Sequence, residues 1–348
     1  MKKTLALILT LCLCIGMLSA CSAASDTGTT TAPATTAAPA GTEAPADTTP
    51  AEEPVNYPTA PITIIVCRAA GGSADVVART FAPYLAEQLG VNVVVENVDG
   101  GSGSIGLTQA WRAEPDGYTL VLGNYPSYVL NEVVDGNKEY KMNGFQSVVG
   151  ISGNEGNVLI VPAESQFNTV QELVDYANAN PGDLNMAVTS GVSNSALAQA
   201  MFLSETGVEV TSIPYDSGNK CATAVIGKEV DVAVCSGAAI YSAFADGNVR
   251  VLATFGPEAD VNLPGVPTFA SIYGEEFAYD VVMGLMAPPS TPEAVLQILR
   301  DAAYAAVTSD AFLNGENGFN VCPRSAAELD EVIAGAYTLG ESVKDLLG

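Results

Sequence analysis

The chain has 348 residues, 48% of them apolar, enough for two domains of ordinary size with real cores. Its 39 acidic residues against 13 basic ones give a formal charge of −26, which repels nucleic acid and anionic membrane surfaces and excludes them as electrostatic partners. There is no histidine, which removes the commonest general base, the commonest metal ligand and every Ser-His or Cys-His couple.

At the N-terminus, Lys2 and Lys3 precede an apolar run over 5–17 that is too short for a membrane span. Leu18-Ser19-Ala20-Cys21 reads as a processing site and matches the lipobox of bacterial lipoproteins. That match implies a signal peptide over 1–20, cleavage before Cys21 and diacylglycerol on its sulfur; an ordinary signal peptide with an incidental cysteine is the alternative. The protein is accordingly expected outside the cytoplasm, anchored to the cell membrane as a lipoprotein. Residues 21–56 are rich in Thr, Ala and Pro, lack an apolar period and form a disordered tether with a reach of about 30 Å. Cys12 and Cys14 leave with the signal. Cys67, Cys221, Cys235 and Cys322 remain and are expected as buried thiols, although export permits disulfides. Without histidine or close Cys spacing, no metal is expected.

From residue 57 onward, strands alternate with helices. A β-branched run predicts a strand over 62–66. Val77, Phe81, Leu85 and Leu89, four residues apart, predict a helix over 75–89 stopped by Gly90. A strand over 91–96, a short helix over 105–113 ended by Pro115 and a strand over 118–122 follow. A second block opens with a strand over 158–161 and a helix over 169–178, started by a Thr169…Glu172 capping box and closed by Asn180-Pro181-Gly182. Strands over 184–188, 208–213, 230–235 and 249–254 then alternate with helices over 196–206, 221–226 and 240–245. A strand over 281–287 and helices over 292–307 and 326–346 end the chain. This α/β pattern predicts largely parallel sheets flanked by helices, with ligands at the carboxyl ends of strands.

Four strand-exit loops are rich in Gly, Ser or Asn: 69–73, 100–104, 123–125 and 189–194. Helix N-termini present unpaired N–H groups and a partial positive charge, and glycines let a ligand approach that backbone. Carboxylate or phosphate is the natural guest. One such loop reads as tight packing at a turn; several of one kind, all leaving strands, read as a site. Asp75 stands in the first turn of its helix, where a carboxylate either caps free N–H groups or meets a ligand. Asp216 carries the same two readings, and Trp111 reads as packing.

Gly101-x-Gly103-x-x-Gly106 matches the dinucleotide fingerprint after a strand and before a helix. The turn is too long, however, the helix too short, and no acidic strand end follows about twenty residues on, so no cofactor is expected. A serine nucleophile would lack its base, and no Ser-x-x-Lys pattern replaces it, so no catalytic residue is assigned.

Tyr57-Pro58-Thr59-x-Pro61-Ile62-Thr63-Ile64-Ile65-Val66, followed by Ala69-Ala70-Gly71-Gly72-x-x-Asp75-x-x-Ala78-Arg79, resembles the start of the Bug family, the solute-binding proteins of tripartite tricarboxylate transporters. The resemblance continues through Val94-Val95-Glu96-Asn97, Gly103-Ser104-Ile105-Gly106 and Pro115-Asp116-Gly117-Tyr118-Thr119-Leu120. Thr189-Ser190-Gly191, Ile213-Pro214-Tyr215, Val230-Asp231-Val232, Leu263-Pro264-Gly265-Val266-Pro267-Thr268 and Met286-Ala287-Pro288-Pro289-Ser290-Thr291-Pro292 complete it. It implies a two-lobed periplasmic-binding fold of type II, a flytrap, with lobe 1 over 57–157 plus 255–348 and lobe 2 over 158–254. The lobes would close on a small organic carboxylate held by backbone N–H groups and water. Carried onto this chain, the binding loops are Ala69, Ala70, Gly71 and Gly72 with Asp75, and Thr189, Ser190, Gly191, Ser193 and Asn194; Asn124 and Tyr215 join them.

Two departures bear on the ligand. The family commonly has Pro-Phe where this chain has Cys67-Arg68, and Arg68 reads either as a surface residue paired with an acid or as a clamp on a ligand carboxylate. Where many members have Lys after Pro-Tyr, this chain has Asp216, which would repel a dicarboxylate's far end or accept an amino group. The expected protein is a monomeric, non-catalytic receptor that delivers a small carboxylate to integral-membrane permease subunits. A receptor for an amino acid or other zwitterion, a ligand sensor for a signalling partner, and an exported enzyme on the same fold are the alternatives.

Overall fold

A computed structural model describes residues 55–189, 192–274 and 277–347. The expected signal peptide, Cys21, nearly all of the expected tether, Ser190 and Gly191 lie outside the described residues. The first segment runs β1 (Ile62–Val66), α1 (Ser73–Leu89), β2 (Val93–Asn97), α2 (Ser104–Trp111), β3 (Thr119–Tyr125), α3 (Ser127–Asp135) and β4 (Gln146–Ser152). The second runs β5 (Asn157–Pro162), α4 (Val170–Ala179), β6 (Asn185–Thr189), α5 (Asn194–Thr206), β7 (Thr211–Tyr215), α6 (Gly218–Ile226), β8 (Val232–Ser236), α7 (Tyr241–Ala245) and β9 (Val249–Thr254). The third runs α8 (Phe269–Tyr273), β10 (Val282–Ala287), α9 (Glu293–Val307), α10 (Asp310–Leu313), β11 (Val321–Arg324) and α11 (Ala326–Leu347).

These strands form two sheets, ordered β11-β4-β10-β3-β1-β2 and β7-β6-β8-β5-β9. In the first, β1 to β4 run one way and β10 and β11 the other. In the second, only β5 is reversed. A βαβ unit holds consecutive strands of one sheet parallel, but β5 and β10 each arrive from the other sheet, β5 by a short link and β10 by a longer one that contains α8, and each inserts antiparallel. The α/β fold with helices on the faces of two sheets is as expected; the sheets are mixed rather than largely parallel, because the reversed strands supply antiparallel pairs in each.

Each sheet is apolar on both faces. Phe81, Leu85, Leu120 and Leu299 cover one face of the first sheet, and Ile65, Val121, Tyr125 and Leu329 the other. Leu159, Leu173 and Phe202 cover one face of the second sheet, and Ile160, Val225 and Val251 the other. Helix α11 joins the two, with Leu329 and Ile333 in one core and Val343 in the other. The capping box forms, since Thr169 Oγ1 accepts the Glu172 N–H at 3.1 Å. Strand β7 begins later than expected and contains Pro214, which an edge strand tolerates because one side of its backbone has no ladder partner.

Helices α3, α8 and α10 and strands β4 and β11 carry no clear sequence signal. The central part of β4 is buried on both faces, which erases the alternation that marks a half-exposed strand. Cys67, Cys221, Cys235 and Cys322 are all unpaired thiols; the first three are buried as expected, while Cys322 is only half-buried because β11 is an edge strand.

Candidate functional site

A cavity of about 400 Å³ opens where strand ends of both sheets meet. Residues 68–74 line it from the first sheet, with Asn124 and Ser127. Thr189, Ser193 and Asn194 face them from the second sheet, with Asp216 and the start of α6. The segments that cross between the sheets contribute Glu155, Asn157 and Val281.

The first loop is shaped by its own glycines and by Asp75. Gly71 has φ +81°, a left-handed conformation that costs glycine little. Gly72 is the N-cap of α1 and supplies no side chain to its amides. Asp75, nearly fully buried, accepts the Gly71 N–H at 2.9 Å, Arg79 Nε at 2.8 Å and Asn97 Nδ2 at 2.9 Å. Burial alone would raise its pKa, but the hydrogen bonds from Arg79, Gly71 and Asn97 outweigh it and hold the carboxyl below the usual range. Asp75 therefore braces the loop from behind and does not line the cavity. It also occupies the Gly71 amide, leaving the amides at the head of α1 for a guest.

Arg68 is half-buried at the cavity edge. Its Nη2 donates to Ser127 Oγ at 3.2 Å, and its guanidinium carbon lies 5.6 Å from the centre of the Tyr128 ring. No ion pair among the described residues uses it. The surface reading, in which Arg68 pairs with an acid, does not describe this arrangement.

On the opposite side, Ser193 caps α5 by accepting the Ala196 N–H at 3.1 Å. Asn194 Nδ2, at the head of α5, donates at 2.9 Å to Asn124 Oδ1, which stands near the end of β3 rather than in a loop, so the bond links the two sheets. Asn194 Oδ1 is buried and has no partner among the described residues. Asn157, which sequence reasoning missed, donates to Ser195 Oγ at 2.7 Å and lies 2.7 Å from the Tyr279 hydroxyl.

Besides Asp75, two expected contributors stand differently from the rest. Tyr215 packs beside the second sheet's core and does not line the cavity. Asp216 lines it but is exposed and ion-paired with Lys220, which holds its carboxyl below the usual range. The loop over 100–104 also stays out of the cavity wall. Its glycines serve packing, since a Cβ on Gly106 would meet Cys67 Sγ at 2.7 Å and the Val98 carbonyl oxygen at 2.9 Å.

Glu155 is the largest omission. It is 4% exposed, lies between β4 and β5 and lines the cavity. Burial pushes its carboxyl up to about 7; Asp260 and Asp280 add to the rise, against the Asn320 N–H, which lowers it. Its one signal in the sequence was a polar Asn154-Glu155-Gly156-Asn157 step between two apolar runs.

Two mixed sheets with a ligand-sized cavity at their facing loops define a periplasmic-binding-protein fold, the architecture of solute receptors. Residues 77–340 match the Tripartite tricarboxylate transporter family receptor, TctC, and the chain belongs to that family. The expected kinship with Bug proteins is borne out. BugT of Bordetella pertussis is 29% identical over 256 residues, spanning 73% of this chain and 78% of its own. The solved periplasmic binding protein BugD is 26% identical with a TM-score of 0.72, covering 83% of this chain and 98% of its own. The structure of R. palustris Rpa4515 with adipate is 25% identical with a TM-score of 0.76, covering 84% of this chain and 99% of its own.

Proposed function

We propose that this receptor captures a small organic carboxylate between two lobes and delivers it, unchanged, to the permease of a tripartite tricarboxylate transporter. Lobe 1 takes 57–157 plus 255–348 and lobe 2 takes 158–254. The protein works outside the cytoplasm, held to the membrane by lipid on Cys21 and by a tether over 21–56. The observation that carries the reading is Arg68, a cation without an acid partner among the described residues, beside the uncapped head of α1 and facing the Ser/Asn-rich start of α5. Amide N–H groups and a guanidinium are a carboxylate's natural partners. Capture works through differential affinity: the ligand stabilises the closed arrangement, in which both loops touch it, and the permease reads closure. Membership of a family of transporter receptors favours a receptor over an enzyme. Adipate, named with the R. palustris relative, is a small carboxylate of the proposed kind.

Native mass spectrometry of the protein as purified tests this. A retained small carboxylate, recovered intact after incubation with fresh protein, is the expected result. A retained ligand without a carboxylate, or conversion of the ligand to a product, overturns the reading.

A further inference from the structure

Resting on the reading of the cavity as a carboxylate site, we infer that the ligand also carries a cationic amine, seated on Glu155 at the end of the cavity away from Arg68. Glu155 Oε1 accepts the Asn320 N–H at 2.9 Å, while Oε2 has no hydrogen bond among the described residues. Around it stand two further carboxylates. Asp260 is buried and accepts from the Tyr241 hydroxyl at 2.7 Å and the Asn262 N–H at 2.9 Å. Asp280 accepts the Glu155 N–H at 3.2 Å and Arg324 Nη2 at 2.5 Å. Arg324 is thus the one cation of this group, set against Glu155, Asp260 and Asp280. A buried carboxylate without a countercharge of its own is costly, and three carboxyls around one guanidinium either hold a proton or lack a positive charge.

Both Asp260 oxygens and both Asp280 oxygens already have donors. What remains is one oxygen of Glu155, enough for an ammonium hydrogen bond and too few for the six to eight oxygen ligands of a calcium ion. Arg68 follows β1 and Glu155 follows β4, with β3 and β10 between those strands. Three strand spacings amount to about 14 Å between strand axes. That separation selects a ligand whose amine lies several bonds from its carboxylate, such as an ω-amino acid. Of the two other acids lining the cavity, Asp99 is exposed and accepts the Gly100 N–H, and Asp216 is exposed with its own cation in Lys220, so the ammonium site moves from Asp216, where the sequence pointed, to the buried Glu155.

Calorimetry with three five-carbon probes, 5-aminopentanoate, pentanoate and glutarate, tests the inference. The amino acid is expected to bind at least tenfold more tightly than either of the others. Its affinity is expected to rise about tenfold from pH 6 to pH 8, as a carboxyl titrating near 7 ionises while the ligand amine stays charged. Glu155→Gln, whose amide oxygen still accepts the Asn320 N–H, is expected to lose at least tenfold for 5-aminopentanoate with unchanged unfolding of the unliganded protein. Should the variant fail to fold, the wild-type pH series decides. Glutarate or pentanoate binding as tightly as the amino acid, or a flat pH series, overturns the amine site and leaves the carboxylate site standing. If none of the three binds, this inference falls, and the ligand retained in native mass spectrometry judges the carboxylate reading separately.

Discussion

Arg68 and Asp75 lie seven residues apart in the chain and have opposite roles. Asp75 is saturated by Gly71, Arg79 and Asn97, so its charge is spent inside the protein. Arg68 leans on a hydroxyl and an aromatic ring, and neither neutralises it. Arg68→Ala is expected to weaken a carboxylate ligand by about 1.5–3 kcal/mol, the range for a charged hydrogen bond. Calorimetry on the retained ligand measures it, and a loss below a few tenths would place the guanidinium outside the contact. The residue types at this loop were legible in the sequence because glycines and a helix start are local features. The direction of Asp75 was not, because a carboxylate in a first turn can face its own backbone or the solvent with the same local sequence.

Among the elements, α2 shows how a motif can be present for a reason other than its usual one. The spacing of Gly101, Gly103 and Gly106 is that of a nucleotide loop, yet Gly106 sits where α2 lies against Cys67 at the end of β1. Gly106→Ala is expected to destabilise the fold by about 1–3 kcal/mol through overpacking, with ligand affinity unchanged. Denaturant unfolding and calorimetry separate the two quantities, and a neutral effect on stability would remove the packing role. Gly103, at φ +99° against the Tyr128 ring, serves the same junction. The strands and helices of the βαβ runs were readable because their periodicity is written within each segment. Strands β4 and β11 were not, because β4 is covered on both faces and β11 is a short edge strand containing Pro323.

At the scale of the molecule, the Asn194–Asn124 hydrogen bond and α11 tie two halves that the chain crosses between β4 and β5 and again between β9 and β10. If closure is the working motion, saturating ligand is expected to reduce the radius of gyration in small-angle scattering. An identical scattering curve with and without bound ligand would show a cavity that fills without closing. The amino-acid sequence alone determined the alternating α/β class, the kinship with tripartite tricarboxylate receptors and the two glycine- and serine-rich loops, because period, turn chemistry and local motifs are properties of neighbours in the chain. Only the tertiary structure decided that Asp75 turns onto its own loop and Asn97, that Asp216 stands at the cavity wall with Lys220 one helical turn away, and that Glu155 lines the cavity beside Asp260 and Asp280. The first two combine near neighbours in the chain, but which way they face is set by burial and by the packing of β2 and α6 on their sheets; the third brings together charges more than a hundred residues apart, and no local pattern in the chain encodes that proximity.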